Sequence, residues 1–375
     1  MGDRQCVKAK VSRMDKQQGS ITAGAGRIDD GSRQDAIYEK DSILIGNFHY
    51  YAKSVDFSAC GRFVAVSGSS DVAMENGSAV KVWDTQANRM INEIHYKHRK
   101  IVGAAFVKGE MKSIAAVDDT GVIEIRSLYQ DSRNNSGLSY SPRKRVSREQ
   151  GARIAKMAVS PDAKLIAYDD CAKECKLRLW SIGANQAEEN STIGVGDYRI
   201  HNFKFSPDGA IIAITSLSSP SIFLFDAYTG QKVWEIKTKH YSGGIADVAY
   251  SPDGQIMAVV PWASRYTKNI ELWHISLMQK LFSLPVKGKY KSAVFSPNGR
   301  IIAVVAENNY RGHIELIDIE NMERVVVPLP RKYHITFLAF SPSGEWLATL
   351  SSGMETAVRL WNVYSLFRKY AKSIA

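Results

Sequence analysis

The sequence predicts an all-β protein assembled from seven copies of one four-stranded unit. Three observations predict it: a turn motif that recurs at a near-constant interval, strand patterning of period two between the turns, and an alanine that returns at one place in every copy. The turns SPDA at Ser160, SPDG at Ser206 and Ser251, SPNG at Ser296 and SPSG at Ser341 begin 46, 45, 45 and 45 residues apart. Two degenerate copies precede them, SACG at Ser58 and VKGE at Val107, with spacings of 49 and 53. A period of this length marks supersecondary units that stack on one another.

Each copy has the same local grammar. A short apolar strand enters the turn, as in VDF, FKF and VAY. The turn follows, where Pro presets φ, Asp or Asn tolerates the left-handed region, and Gly supplies positive φ. A second apolar strand leaves it, as in FVAV, IIAI and WLAT. A third alternates and ends on an aromatic or polar pair, as in VKVWD, IFLFD and VRLWN. A fourth, more polar stretch such as KVWEIK completes the unit, and no segment shows a helical period. The recurring alanines are Ala65, Ala115, Ala167, Ala213, Ala258, Ala303 and Ala348. Sheets arranged radially taper towards their axis, and only a small residue fits where neighbours crowd. The prediction is therefore a seven-bladed β-propeller of four-stranded antiparallel blades.

Over residues 42–371 the pattern resembles the WD-repeat (β-transducin-like) family, with degenerate repeats. Trp83-Asp84 matches that family's terminal dipeptide, Trp180, Trp273 and Trp361 keep the tryptophan, and Phe225-Asp226 and Ile317-Asp318 keep the aspartate. The family's loop histidine is best matched by His240. The resemblance implies a non-enzymatic interaction platform. It also implies that Ser42–Phe48 (SILIGNF), a fourth strand without a blade of its own, completes the last blade and closes the ring, removing an open edge. The C-terminal LFRKYA (Leu366–Ala371) competes for that place, but Arg368 and Lys369 make it a poorer strand. One domain is expected over 41–375. Residues 1–40 are polar and read as a disordered tail. A basic insertion at 129–150 interrupts the second repeat, with a poor fourth strand near Arg145–Glu149.

Four cysteines in 375 residues make no disulfide framework, and no apolar run reaches membrane-spanning or signal-peptide length. The expectation is a monomeric, cytoplasmic protein with reduced thiols, nuclear being open for a eukaryotic source. The scan for chemistry predicts no enzyme, no cofactor and no metal. GAGRID (Gly24–Asp29) lacks the third glycine and the strand–helix context of a dinucleotide fingerprint. Cys171 and Cys175 lack a second pair for zinc, and His95 and His98 lack further ligands. Ser141-Pro142 and Arg143-Lys144-Arg145-Val146-Ser147 resemble kinase sites, as short patterns in a basic loop often do.

The net charge is +11, and its placement matters more than its size. In a propeller the links from one blade's outer strand to the next blade's inner strand share a face. Those links are 49–54, 96–101, 151–155, 195–201, 237–245, 286–292 and 330–336. They hold thirteen Lys or Arg and one acid, Asp197, together with seven of the seventeen tyrosines. Loops between second and third strands join this face. They are acidic in the first three repeats (Asp71, Glu75, Asp118, Asp119, Asp169, Asp170) and basic and aromatic in the fifth and sixth. The predicted binding face comprises Lys237, Lys239, His240, Tyr241, Arg265, Tyr266, Lys268, Lys287, Lys289, Tyr290, Lys291, Arg311, Arg331, Lys332 and Tyr333. Charge that engages phosphate beside rings that stack on bases puts RNA or single-stranded DNA first. The alternative is a protein–protein scaffold within a larger assembly, docking an acidic or phosphorylated segment. Lys, His and Tyr are also ordinary loop residues, so the residues alone leave the partner open.

Overall fold

The computed structural model describes residues 42–373 apart from 49–51, 71–76, 108–112, 128, 131–137, 140–141, 147–153, 172–174, 183–186, 239–243, 263–268, 286–288, 309–310, 330–332 and 354–355. The expectation of a disordered tail at 1–40 lies outside these residues. Seven antiparallel blades follow one another around a ring, the first six ordered from inner to outer strand as the chain runs. The inner strands are Ala52–Phe57, Ile101–Phe106, Met157–Val159, Asn202–Phe205, Ile245–Tyr250, Lys289–Phe295 and Tyr333–Phe340, defining blades 1 to 7.

The alanines occupy one register position. Each lies on its blade's second strand and is 0% exposed. Each pairs inward with the inner strand, at Asp56, Ala105, Ala158, Lys204, Ala249, Val294 and Ala339 in turn. Hydrophobic clusters then form between neighbouring blades rather than within them. Leu165 and Leu179 of blade 3, for instance, pack with Phe203 and Ile212 of blade 4.

The turns explain their own motif. The Ser206, Ser251 and Ser296 hydroxyl oxygens each accept the backbone N–H five residues on, at 2.9 Å. Each serine carbonyl also accepts the N–H of the turn glycine. Gly254, Gly299 and Gly344 have φ of 69–73° and lean on Pro207, Pro252 and Pro297 of the preceding turn. A Cβ added to Gly61 would stand 3.3 Å from Pro342, so this belt of turns closes from blade 7 onto blade 1.

Ser42–Phe48 is the outer strand of blade 7, antiparallel to Thr356–Asn362. The competing segment Leu366–Ala371 is not a strand. Val363–Tyr370 forms a helix, capped by the Asn362 side chain, which accepts the Ser365 N–H. Val363 and Leu366 are buried with Phe367 and Tyr370 packed beside them, a helical spacing that the strand reading overlooked. Two further corrections concern outer strands. The fourth strand of blade 2 is Pro142–Val146, pairing with Ile123–Ser127, rather than 145–149. Blade 6 has a fifth strand, Lys372–Ser373, set against Glu323–Arg324. The pairing of third and outer strands carries a register shift in every blade except blade 6, where six pairs run unbroken.

Deleting residues 1–35 should leave the melting temperature unchanged. Deleting 1–48 should lower it sharply, since Thr356–Asn362 would lose every partner on its outer side. Differential scanning calorimetry of the two truncations checks this.

Candidate functional site

Of the fifteen predicted face residues, the side chains of Lys237, Lys289, Tyr290 and Lys291 are described. Lys239, His240, Tyr241, Arg265, Tyr266, Lys268, Lys287, Arg331 and Lys332 lie outside the described residues, and only the backbone of Arg311 and Tyr333 is placed. Lys289 is exposed. Lys291 forms an ion pair with Glu307 at 2.8 Å, and Lys237 lies 4.0 Å from Glu235. The Lys291 ammonium, with the charges of His334 and Lys289 behind it, holds the Glu307 carboxyl below its usual range. Tyr290 must be withdrawn from the site. It is 2% exposed in the core between blades 5 and 6, so its ring cannot stack on a base. Tyr96, another of the counted tyrosines, is 3% exposed beneath Arg99 and Arg126. Tyr198 is 40% exposed and remains available.

The acidic half-face over the first three blades is also revised. Asp118 is buried, accepts from the Thr120 and Val122 amides, and pairs with Arg99 at 2.7 Å. Arg99 bonds Glu124 as well. Asp169 accepts the Ala155 and Lys156 amides, and Asp170 pairs with Arg178. These carboxylates brace the blades that carry them; Asp71 and Glu75 lie outside the described residues.

The inner strands build a polar cluster that the sequence reading missed. Asp247 of blade 5 is 0% exposed. One of its oxygens accepts from Asn202 Nδ2 at 2.7 Å. The other accepts from Lys204 Nζ at 2.8 Å, Ser292 Oγ at 2.8 Å and the Ala293 amide at 3.1 Å. Blades 4, 5 and 6 are thereby tied together at their inner strands. Lys156 of blade 3 joins from the other side, its ammonium donating to the His201 carbonyl at 2.5 Å. The His201 ring meets Trp262 edge-on, with centroids 5.9 Å apart, and Trp262 is 39% exposed. Burial first, and the Lys156 charge second, push the His201 imidazole down to about 4, so it is neutral at neutral pH. A signal existed in the sequence: Asn202, Asp247 and Ser292 stand four residues before Ser206, Ser251 and Ser296, matching polar places in three consecutive inner strands, with Lys204 two residues after Asn202. Buried charges persist only when paired.

Cys171 and Cys175, expected as reduced thiols, are joined by a disulfide across the hairpin of blade 3, their Cα atoms 4.1 Å apart. The two residues flank the hairpin connection, Cys171 just after the strand Leu165–Asp170 and Cys175 just before Lys176–Ile182. Among the described residues, no group of three or more His, Cys, Asp or Glu is placed to hold a metal ion. No helix among them is long and apolar enough to cross a membrane.

Comparison with known proteins follows the same lines. The profile of the family described as eukaryotic translation initiation factor eIF2A matches residues 215–370, less than half of the chain. No curated protein sequence matches. Among solved structures, Chaetomium thermophilum Sqt1 bound to the N-terminus of the ribosomal protein L10 is similar. It has a TM-score of 0.62 and 16% identity, over 84% of this chain and 98% of that one. A second structure, of Chaetomium thermophilum Sqt1, gives 0.63 and 16%, over 87% and 99%. At this identity the likeness establishes the propeller fold.

Two outcomes are expected. Asp247→Ala removes the acceptor of Lys204 and of four further donors, and should cost about 3–5 kcal/mol in urea unfolding. The double variant Asp247→Leu, Lys204→Met should recover much of that loss. Because His201 titrates lower in the folded chain than in the unfolded one, the unfolded chain binds more protons between pH 6.5 and about 4. Stability should therefore fall as pH drops through that window, and His201→Gln should flatten the fall in pH-dependent melting.

Proposed function

We propose that this chain is a non-catalytic scaffold whose basic face docks an acidic segment of a protein partner, working among components of the translation apparatus. One observation carries the choice of protein over nucleic acid. The described part of the face is not a bare basic stripe, because Lys291 and Lys237 stand beside Glu307 and Glu235 and the Tyr290 ring is buried. Nucleic-acid binding rests on unpaired cations along a backbone and on rings open to bases. Mixed charge around an available lysine suits selective docking of a protein segment instead. The match to a translation initiation factor family supports the setting. So does the similarity to a propeller solved with a ribosomal-protein terminus. The scaffold acts as a monomeric propeller and needs no catalytic group for this role.

The test is fluorescence anisotropy with a labelled oligoglutamate peptide and with single-stranded RNA, each at low and physiological salt. The peptide should bind more tightly, and its affinity should drop with salt. Lys289→Glu should weaken the peptide more than Lys291→Glu, because Glu307 already answers the Lys291 charge. Tighter binding of RNA, with a steep salt slope, would restore nucleic acid as the ligand.

A further inference from the structure

Within the docking reading above, on which this inference rests, the inner ends of blades 3, 4 and 5 supply a specific subsite. We propose that Lys156, His201 and Trp262 form a pocket for one carboxylate side chain of the acidic partner segment.

Two contacts converge on His201, the residue just before the inner strand of blade 4. Lys156 approaches its backbone carbonyl from blade 3. Trp262 of blade 5 meets its ring, held there by donation of the Trp262 amide to the Gly244 carbonyl at 2.9 Å. An ammonium has three N–H donors, and the His201 carbonyl takes one. The nearest carboxylates are otherwise engaged. Asp169 receives the backbone amides of Ala155 and Lys156, not the ammonium. Asp247 receives Lys204, Asn202 and Ser292. A neutral imidazole adds one more N–H, and the half-exposed indole offers an apolar wall for the methylenes of a glutamate.

The same surroundings select the charge of the ligand. A phosphate dianion would face two buried carboxylates, Asp169 and Asp247, in a site of reduced dielectric. A single carboxylate matches one half-satisfied ammonium with less repulsion. Lys156 and His201 are half-buried beside the inner strands, so a side chain carried on an extended segment reaches them more readily than a nucleic-acid backbone does.

The test uses the full chain and the labelled oligoglutamate peptide, with melting curves to confirm folding of each variant. Lys156→Gln should weaken the peptide about tenfold, and Lys156→Arg should restore most of that loss. Trp262→Ala should weaken it several-fold without unfolding the chain, which keeps the test alive if Lys156→Gln fails to fold. Lys164→Gln, on an exposed turn of the opposite face, should change nothing. If the wild type binds the peptide and folded Lys156→Gln and Trp262→Ala bind it equally well, the pocket is wrong while the docking reading stands. If the wild type does not bind the peptide at low salt, both fall. If RNA binds instead and Lys156→Gln abolishes that, the occupant is a phosphodiester and the carboxylate assignment is overturned.

Discussion

Seven sheets set around one axis crowd at their inner edges, and the rest of the structure is arranged around relieving that crowding. The alanine on the second strand of each blade keeps the space between neighbours small enough for apolar side chains to interlock. No blade has a core of its own: its two faces are buried only by the blades on either side. That makes closure a condition of stability, since an open ring would leave two apolar faces and two edges in water. Ser42–Phe48 supplies it with main-chain hydrogen bonds to blade 7. The contact of Gly61 with Pro342 supplies it a second time, in the belt of turns.

The polar cluster around Asp247 answers the same crowding with a different chemistry. At the inner strands of blades 4 to 6 the gap is bridged by a carboxylate that collects donors from both neighbours. On the far side of the ring, Ser54 and Asp56 of blade 1 reach the backbone of Ala104 and Phe106 of blade 2. Side chains that look misplaced in apolar strands thus carry the lateral hydrogen bonds that a sheet cannot make across a blade boundary. Lys156 and His201 extend this arrangement towards the links, which is why a binding pocket can arise there without any loop devoted to it.

The architecture was legible because its causes are local and repeated: Ser, Pro and Gly in each turn, period-two strands, and one alanine per copy. The helix was not, because its eight residues span little more than two turns, too few for the spacing of Val363, Leu366, Phe367 and Tyr370 to stand out beside the strands. The binding face was half legible. Counting lysines and arginines on the links ignored acids on the adjoining strands, so Glu235, Glu307 and Glu124 escaped the balance. Tyrosines were counted as ligands because sequence does not say which ring points inward; Tyr96 and Tyr290 do. The cluster of Lys204 and Asp247 was passed over because residues within strands were read as packing and residues in links as function.

The regular outer pairing of blade 6 has a consequence for how this protein behaves in company. In blades 1, 3, 4 and 5 the register shift falls beside Trp83, Trp180, Phe225 and Trp273 in turn, and a shift of this kind increases local strand twist. Blade 6 has Ile317 at that place and no shift. Its outer pairing is therefore regular, and a regular edge is more open to pairing with a foreign strand than a bulged one. The chain covers that rim with its own Lys372–Ser373 and the preceding helix. Lys372–Ser373 thus occupy a place on that edge where a foreign strand would otherwise pair. Tags or fusions placed there would trade that protection for convenience, and the cost would appear as concentration-dependent turbidity rather than as a change in folding.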